Sequence, residues 1–189
     1  MDEVERFRAL FQSNYPRLHR YARNRGLTGA DADDLVAATL EVAWRRIGDV
    51  PLDDPAPWLF AVARNLWLNK RRADQRTRTL LERLDAGMVQ VEASESSTTD
   101  PDVRAIRAAL SRLGDDDREL LLLIAWDELT PSQAAAVLGC SPVAARTRLH
   151  RARRRLAALL GSTRMVQRFD PAGQIRIVPT ASSMEESDA

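Results

Sequence analysis

Thr130-Pro131-Ser132-Gln133-Ala134-Ala135-Ala136-Val137-Leu138-Gly139-Cys140-Ser141-Pro142 is the stretch that decides the fold of this chain. Thr130 is an N-cap residue, and Pro131 sits in the first turn, where its missing N–H costs nothing. Ala134, Ala135, Val137 and Leu138 fill a short helix, and Gly139-Cys140-Ser141 turns the chain. Pro142 then starts a second helix that reaches about Leu160. A short helix, a glycine turn and a capped second helix make a helix-turn-helix signature.

The second helix divides into two faces at about 100° per residue. Ala145, Leu149, Ala152 and Leu156 form an apolar seam against the core. Opposite them fall Val143, Thr147, His150, Arg151 and Arg154, with Arg146 on the flank. Such a set suits a DNA groove: an apolar contact for a thymine methyl, a hydroxyl and an imidazole for base edges, and guanidinium forks for guanine or phosphate.

Working outward, Val103 to Leu113 and Asp115 to Trp126 read as two further helices, the latter with acids in its first turn and the run Leu120 to Ile124 buried. Residues 85 to 101 are acidic, rich in Ser and Thr and nearly free of large apolar groups, so they read as a flexible linker. Ahead of that linker Val4, Phe7, Leu10, Phe11, Tyr15, Leu18 and Tyr21 recur at three and four, predicting a first helix that ends near Gly26. Thr28 to Asp34 starts a second helix, which Leu35, Val36, Thr39, Leu40, Ala43 and Trp44 carry to Gly48. Asp49 to Pro57 is a rigid polar loop. A third helix is predicted from Trp58 to Arg72 or slightly beyond, with Leu59, Val62, Ala63 and Leu66 as its core stripe. Phe60, Arg64, Trp67 and Arg71 interleave rings and guanidiniums on another face, and Asn65, Asn69 and Arg72 form an amide-containing stripe. Rings that stack and cations that track phosphates suit single-stranded or distorted nucleic acid, and ordinary packing competes as a reading of the rings. The fold class is all-α, as two small helical domains.

The 189 residues hold 28 bases against 27 acids, and this near-balance is a cancellation. Residues 64–78 carry six bases against one acid, residues 85–102 carry five acids and no base, and residues 145–164 carry seven arginines and no acid. Two compact basic blocks are the charge footprint of a polyanion binder with two contact points. Lys70 is the only lysine, a bias too general along the chain to weigh heavily. No run of about 18 apolar residues occurs to span a membrane, and Met1-Asp2-Glu3 does not resemble a secretory signal. Cys140 with only His19 and His150 cannot assemble a zinc site, and no nucleophilic elbow or phosphate-cradling loop is present. A cytoplasmic, cofactor-free protein that is not an enzyme is expected.

Asp33-Asp34-Leu35-Val36 leading to Ala43-Trp44-Arg45-Arg46, then Pro57-Trp58-Leu59-Phe60-Ala61-Val62-Ala63-Arg64-Asn65-Leu66, then Leu138-Gly139-Cys140-Ser141 with Arg146-Thr147-Arg148-Leu149-His150-Arg151-Ala152-Arg153, resemble the extracytoplasmic-function sigma factors of bacterial RNA polymerase. The resemblance covers about residues 5 to 162. It implies a region 2 domain over 1–84, the acidic linker over 85–101 in the RNA exit path, a region 4 domain over 102–162 and an extension over 163–189. It implies docking on the clamp helices of the largest polymerase subunit through Asp34, Leu35, Ala38, Thr39, Glu41, Val42 and Arg45, with a flap contact besides. Asn65, Asn69, Lys70, Arg71 and Arg72 would meet the −10 element, with Asp49 and Asp53 in the loop that captures a flipped base. Val143, Ala144, Arg146, Thr147, His150, Arg151 and Arg154 would read the −35 element as duplex. Promoter DNA and core RNA polymerase are the implied partners, with an anti-sigma factor as a further candidate.

Two departures stand out. Ala37-Ala38 replace the family's usual Gln and acid, which bears on the strength of docking. In the extension, Val166 to Val178 reads as a short hairpin followed by a polar end, a segment for regulation or partner binding. The rival reading is a stand-alone helix-turn-helix regulator that binds duplex as a dimer at paired half-sites, but the first module lacks the α/β pattern of a sensor and carries a basic, aromatic helix of its own.

Overall fold

The computed structural model describes residues 2–84, 101–161, 167–169 and 175–177. Seven α-helices run in order: α1 (Glu3–Asn24), α2 (Ala30–Arg45), α3 (Ala56–Leu84), α4 (Pro101–Ser111), α5 (Asp115–Ala125), α6 (Pro131–Leu138) and α7 (Pro142–Gly161). A short 3-10 turn at Ile47–Asp49 leads into the loop before α3. The strands β1 (Gln167–Phe169) and β2 (Ile175–Ile177) pair antiparallel, with Arg168 opposite Arg176. The turn between them, the rest of the extension and the linker positions 85–100 lie outside the described residues.

The first three helices form one module. Leu10, Leu18, Tyr21 and Ala22 of α1 meet Leu35, Val36, Leu40 and Ala43 of α2 and Leu59, Phe60 and Ala63 of α3, all below a tenth exposed. Each large side chain of this set contributes roughly 1.5–3 kcal/mol by leaving water. Pro16 lies within α1, which remains a single helix across it. The helix starts differ in detail from the sequence reading. Gly29, at φ 51°, and not Thr28 caps α2, and no side chain accepts a bond there. Asn24 ends α1 two residues before Gly26, whose φ of 85° turns the chain. The third helix runs on to Leu84, because neither Gly nor Pro interrupts the segment from Trp58 onward until Gly87.

The second module is built on the helix-turn-helix. Thr130 Oγ1 accepts from the Gln133 amide at 3.2 Å, and the Thr130 amide donates to Gln133 Oε1 at 2.7 Å, closing a capping box. Gly139, at φ 66°, ends α6, with the Cys140 amide donating to Ala135 O at 3.0 Å and the Gly139 amide to Ala136 O at 3.3 Å, a Schellman pair. Ser141 Oγ caps α7 by accepting from the Ala144 amide at 3.1 Å. Ala145, Leu149, Ala152, Leu156 and Leu160 of α7 are buried against Ile106, Leu110, Leu120, Leu123, Ala134 and Val137. Cys140, in the turn between α6 and α7, is half-buried and free.

The modules are not held apart. Their buried residues form one continuous cluster, and α3 packs on α6. Two substitutions test the turn that sets the second module. Thr130→Ala should lower stability by about 1 kcal/mol through loss of the cap, and Gly139→Ala by about 1–2 kcal/mol because an L residue is strained at positive φ. Urea unfolding followed by far-UV dichroism reads both.

Candidate nucleic-acid interface

The apolar seam of α7 turns its other side outward. Val143, at 69% exposed, is joined on the surface by Ala144, Arg146, Thr147, His150, Arg151 and Arg154. Every residue that the sequence assigned to this face lies on it. Six of the seven arginines of the block lie among the described residues, and they divide by geometry. Arg148 Nη1 donates to Asp116 at 3.2 Å, and Arg155 pairs with Asp117, so these two bind the acidic first turn of α5. Burial lowers the pKa of Arg153, which lies between the faces. Arg146, Arg151 and Arg154 remain on the outer side.

On α3, Asn65, Asn69 and Arg72 form the exposed stripe expected of them. Lys70 is tied to Asp31 of α2 by a hydrogen bond that raises its pKa above the ordinary lysine value. Asp49 accepts from Arg46 Nε at 2.9 Å, and Asp53 is exposed. The ring-and-guanidinium face is different from expectation. Phe60 is 1% exposed and packs against Tyr21 with ring centroids 5.3 Å apart, so it belongs to the core and cannot stack on a base. Four residues on, Arg64 Nη2 donates to Asp116 at 3.5 Å. Arg71 lies over the Trp67 ring at 5.5 Å and donates to Asp115 Oδ2 at 3.2 Å. The stripe thus faces the second module.

The α2 set separates in the same way. Leu35 is 7% exposed, and Thr39 is fully buried with its hydroxyl donating to Leu35 O at 2.7 Å, so neither can touch a partner. Their three-and-four spacing is that of the core stripe, which competed with the docking assignment. Asp34, Glu41 and Arg45 are exposed, Glu41 pairs with Arg45, and Ala38 and Val42 are half-buried beside them. Sequence periodicity placed Phe11, Tyr15 and Trp44 with the apolar stripes. They stand 39–44% exposed, and Phe7 links two of them through ring contacts to Trp44 at 5.1 Å and Phe11 at 6.4 Å.

A buried ionic cluster between the modules was not legible at all. Arg25, at the end of α1, has a side chain 1% exposed. Its Nη2 donates to Glu119 Oε1 at 2.8 Å and its Nη1 to Asp127 Oδ2 at 3.0 Å, while the guanidinium lies 3.3 Å from the Tyr21 ring centroid. Tyr21 Oη donates to Glu119 at 3.3 Å and the Asn24 amide to Asp127 at 3.3 Å. Burial pushes the Tyr21 hydroxyl and the Asp127 carboxyl above their ordinary pKa values, in both cases outweighing Arg25. For Arg25 burial pulls the pKa down, but Tyr21, Glu119 and Asp127 around it leave the net shift upward, so it stays charged. Glu128, beside Asp127, is the one non-glycine at positive φ among the described residues, 60°, and it pairs with Arg20 at 3.3 Å. That strained position turns the chain so that Asp127 points inward.

Phe60→Ala should cost about 3–5 kcal/mol of stability, whereas Asn65→Ala should stay within about 0.5 kcal/mol. Thermal unfolding of the two variants separates core from surface on this one helix.

Comparison with known proteins agrees with the architecture. Residues 10–77 match Sigma-70 region 2 and residues 103–156 match Sigma-70, region 4. The ECF RNA polymerase sigma factor EcfG of Rhodopseudomonas palustris is 34% identical over 147 residues, covering 77% of this chain and 80% of its own. The RNA polymerase sigma factor NccH of Alcaligenes xylosoxydans xylosoxydans is 31% identical over 170 residues, covering 84% and 89%. Among solved structures, the sigma factor RpoE of Bartonella quintana, in complex with the anti-sigma factor NepR, superposes with a TM-score of 0.64 at 27% identity, covering 84% of this chain and 98% of its own. The chain therefore belongs to the extracytoplasmic-function sigma factors of the sigma-70 family, regulatory subunits that direct transcription initiation.

Proposed function

We propose that this sigma factor reads the −35 element with the outer face of α7 and the −10 element with α3, while α2 docks on core RNA polymerase. The observation that carries the reading is the clean split of α7. Its small and apolar seam is buried, and Val143, Ala144, Arg146, Thr147, His150, Arg151 and Arg154 share the opposite, exposed side. That side has the shape of a groove reader, with guanidiniums for guanine edges and phosphates and a hydroxyl and imidazole for other edges. Its neighbouring helix N-terminus adds a dipole end for a phosphate.

On α3 the reading set is Asn65, Asn69 and Arg72, with Lys70 and Arg71 nearby for the backbone and the loop through Asp49 and Asp53 for a displaced base. Amide groups supply paired donors and acceptors for base edges. On α2 the docking set narrows to Asp34, Ala38, Glu41, Val42 and Arg45, and the exposed Trp44 ring continues it with apolar area. The domain limits follow as 1–84 for region 2, 85–101 for the linker, 102–162 for region 4 and 163–189 for the extension, with helix α4 already begun at Pro101. An anti-sigma partner is proposed from the RpoE–NepR complex. No helix among the described residues is long and apolar enough to cross a membrane, and we place the protein in the cytoplasm with the polymerase.

Run-off transcription with sigma-free core polymerase tests the whole reading. Promoter-directed transcripts from fixed genomic sites are expected, and their complete absence with folded protein would reject it. Replacing Arg146 or Arg151 by Ala should weaken −35 recognition by about 1–3 kcal/mol if the lost contact is bidentate to a base. Asn65→Ala should impair opening of the −10 region and leave duplex affinity for the −35 element unchanged.

A further inference from the structure

The chain continues past its family match after α7. The region 4 match ends at residue 156 and α7 at Gly161, and β1 begins six residues later at Gln167. The basic block of α7 does not stop with the helix. Residues 145–178 carry nine arginines against one acid, Asp170, so the excess charge runs through both strands.

The register of the hairpin arranges that charge. Arg168 is opposite Arg176, and the pairs on either side are Gln167 with Ile177 and Phe169 with Ile175. Successive residues of a strand alternate between faces, so the arginine pair holds one face, and Phe169, Ile175 and Ile177 share the other with Gln167. Cα atoms directly opposite in an antiparallel pair are about 4.5–5.5 Å apart. Like charges at that separation work against pairing, and two strands alone are marginal in water. The arrangement becomes favourable when anions lie against the arginine face. A row of fixed anions suits it better than a single one, since duplex DNA presents a negative charge about every 1.7 Å along its axis and each guanidinium forks onto phosphate oxygens.

Reach favours the duplex that α7 would hold. Arg154, the last arginine on the outer side of α7, precedes Gly161 by seven residues, about 10 Å of helix. The steps from Gly161 to Gln167 span at most about 20 Å. β1 therefore starts within about 30 Å of the groove-facing set, about nine base pairs at 3.4 Å each.

We propose that the β1–β2 hairpin is a second duplex contact, in which Arg168 and Arg176 hold backbone phosphates flanking the site held by α7. It adds affinity without reading sequence, because phosphate contacts carry no sequence information. This role rests on the reading of α7 as the duplex-facing helix, and it gives the extension a task outside the −35 and −10 contacts.

The salt dependence of binding measures it, with the full chain and a mixed-sequence duplex of about 30 base pairs, long enough to cover both contacts. The outer side of α7 is exposed in the free chain, so no polymerase is needed. Each phosphate neutralised contributes about 0.9 to the slope of log affinity against log salt. Arg168→Thr with Arg176→Thr preserves the strands, since Thr favours a strand and cross-strand Thr pairs stabilise it. This variant should lose about 1.8 from the slope, so that the wild-type advantage shrinks about twelve-fold between about 50 and 200 mM salt. Arg168→Lys with Arg176→Lys should keep the wild-type slope. A Thr variant with the wild-type slope would overturn the proposal, and it is the result expected if the pair meets an acidic protein surface or the chain's own Glu185, Glu186 and Asp188. A Lys variant whose slope falls as far as that of the Thr variant would overturn it too, because a contact made by charge survives that exchange. Arg146→Ala with Arg151→Ala tests α7 in the same assay. A slope lowered there and not in the Thr variant leaves α7 as the duplex-facing helix and removes the hairpin contact, and the reverse result keeps the hairpin contact and rejects the reading of α7.

Discussion

One guanidinium joins the two halves of this molecule. Arg25 lies in a site where burial penalises every charge, and its position is tolerable because two carboxylates, a tyrosine ring and a backbone carbonyl surround it. Formally the cluster holds one positive and two negative charges, and each carboxylate has a further donor, the hydroxyl of Tyr21 for Glu119 and the side-chain amide of Asn24 for Asp127. Breaking such a cluster by removing one partner costs far more than its net contribution to stability, since it strands a buried charge. The arrangement therefore favours a defined relative placement of the modules. The positive φ at Glu128 adds backbone strain at the same corner, held by its surroundings and aimed at Asp127.

The basic residues show how one residue type serves opposed purposes. On α7, Arg148 and Arg155 bind the acids that begin α5, and Arg146, Arg151 and Arg154 stay outward. On α3, Arg64 and Arg71 meet those same acids, while Asn65, Asn69 and Arg72 look away. The first turn of α5 is thus a hub, favoured at a helix N-terminus by the macrodipole and shared by cations from both modules.

Local chemistry made part of the architecture legible. The Thr130 cap, Pro131, Gly139 and Pro142 each act within a few residues, so helices α6 and α7 and the turn between them follow from sequence alone. The exposed set on α7 was legible for a related reason. A 3.6-residue period with a small-residue seam leaves only one side for Arg146, Thr147, His150 and Arg151. On α2 and α3 the same periodicity was ambiguous, because core and partner faces share spacing. Phe60 sits at the interval that links Arg64 to Arg71, and Leu35 and Thr39 adjoin the exposed Asp34 and the half-buried Ala38, but only packing reveals which way each points.

Long-range pairing was beyond any local signal. Arg25 and Glu119 are 94 residues apart, and nothing around either one marks it as a partner of the other. The sequence by itself determined an all-helical chain, a helix-turn-helix with its outward face, and two blocks of arginine separated by acids, because each depends on neighbours within a turn or two of helix. Only the tertiary structure decided that the modules close on each other, that Phe60, Leu35 and Thr39 lie inside, and that Arg64 and Arg71 spend their charge on α5. Those outcomes depend on which distant surfaces meet, and burial assigns that through the summed packing of both modules.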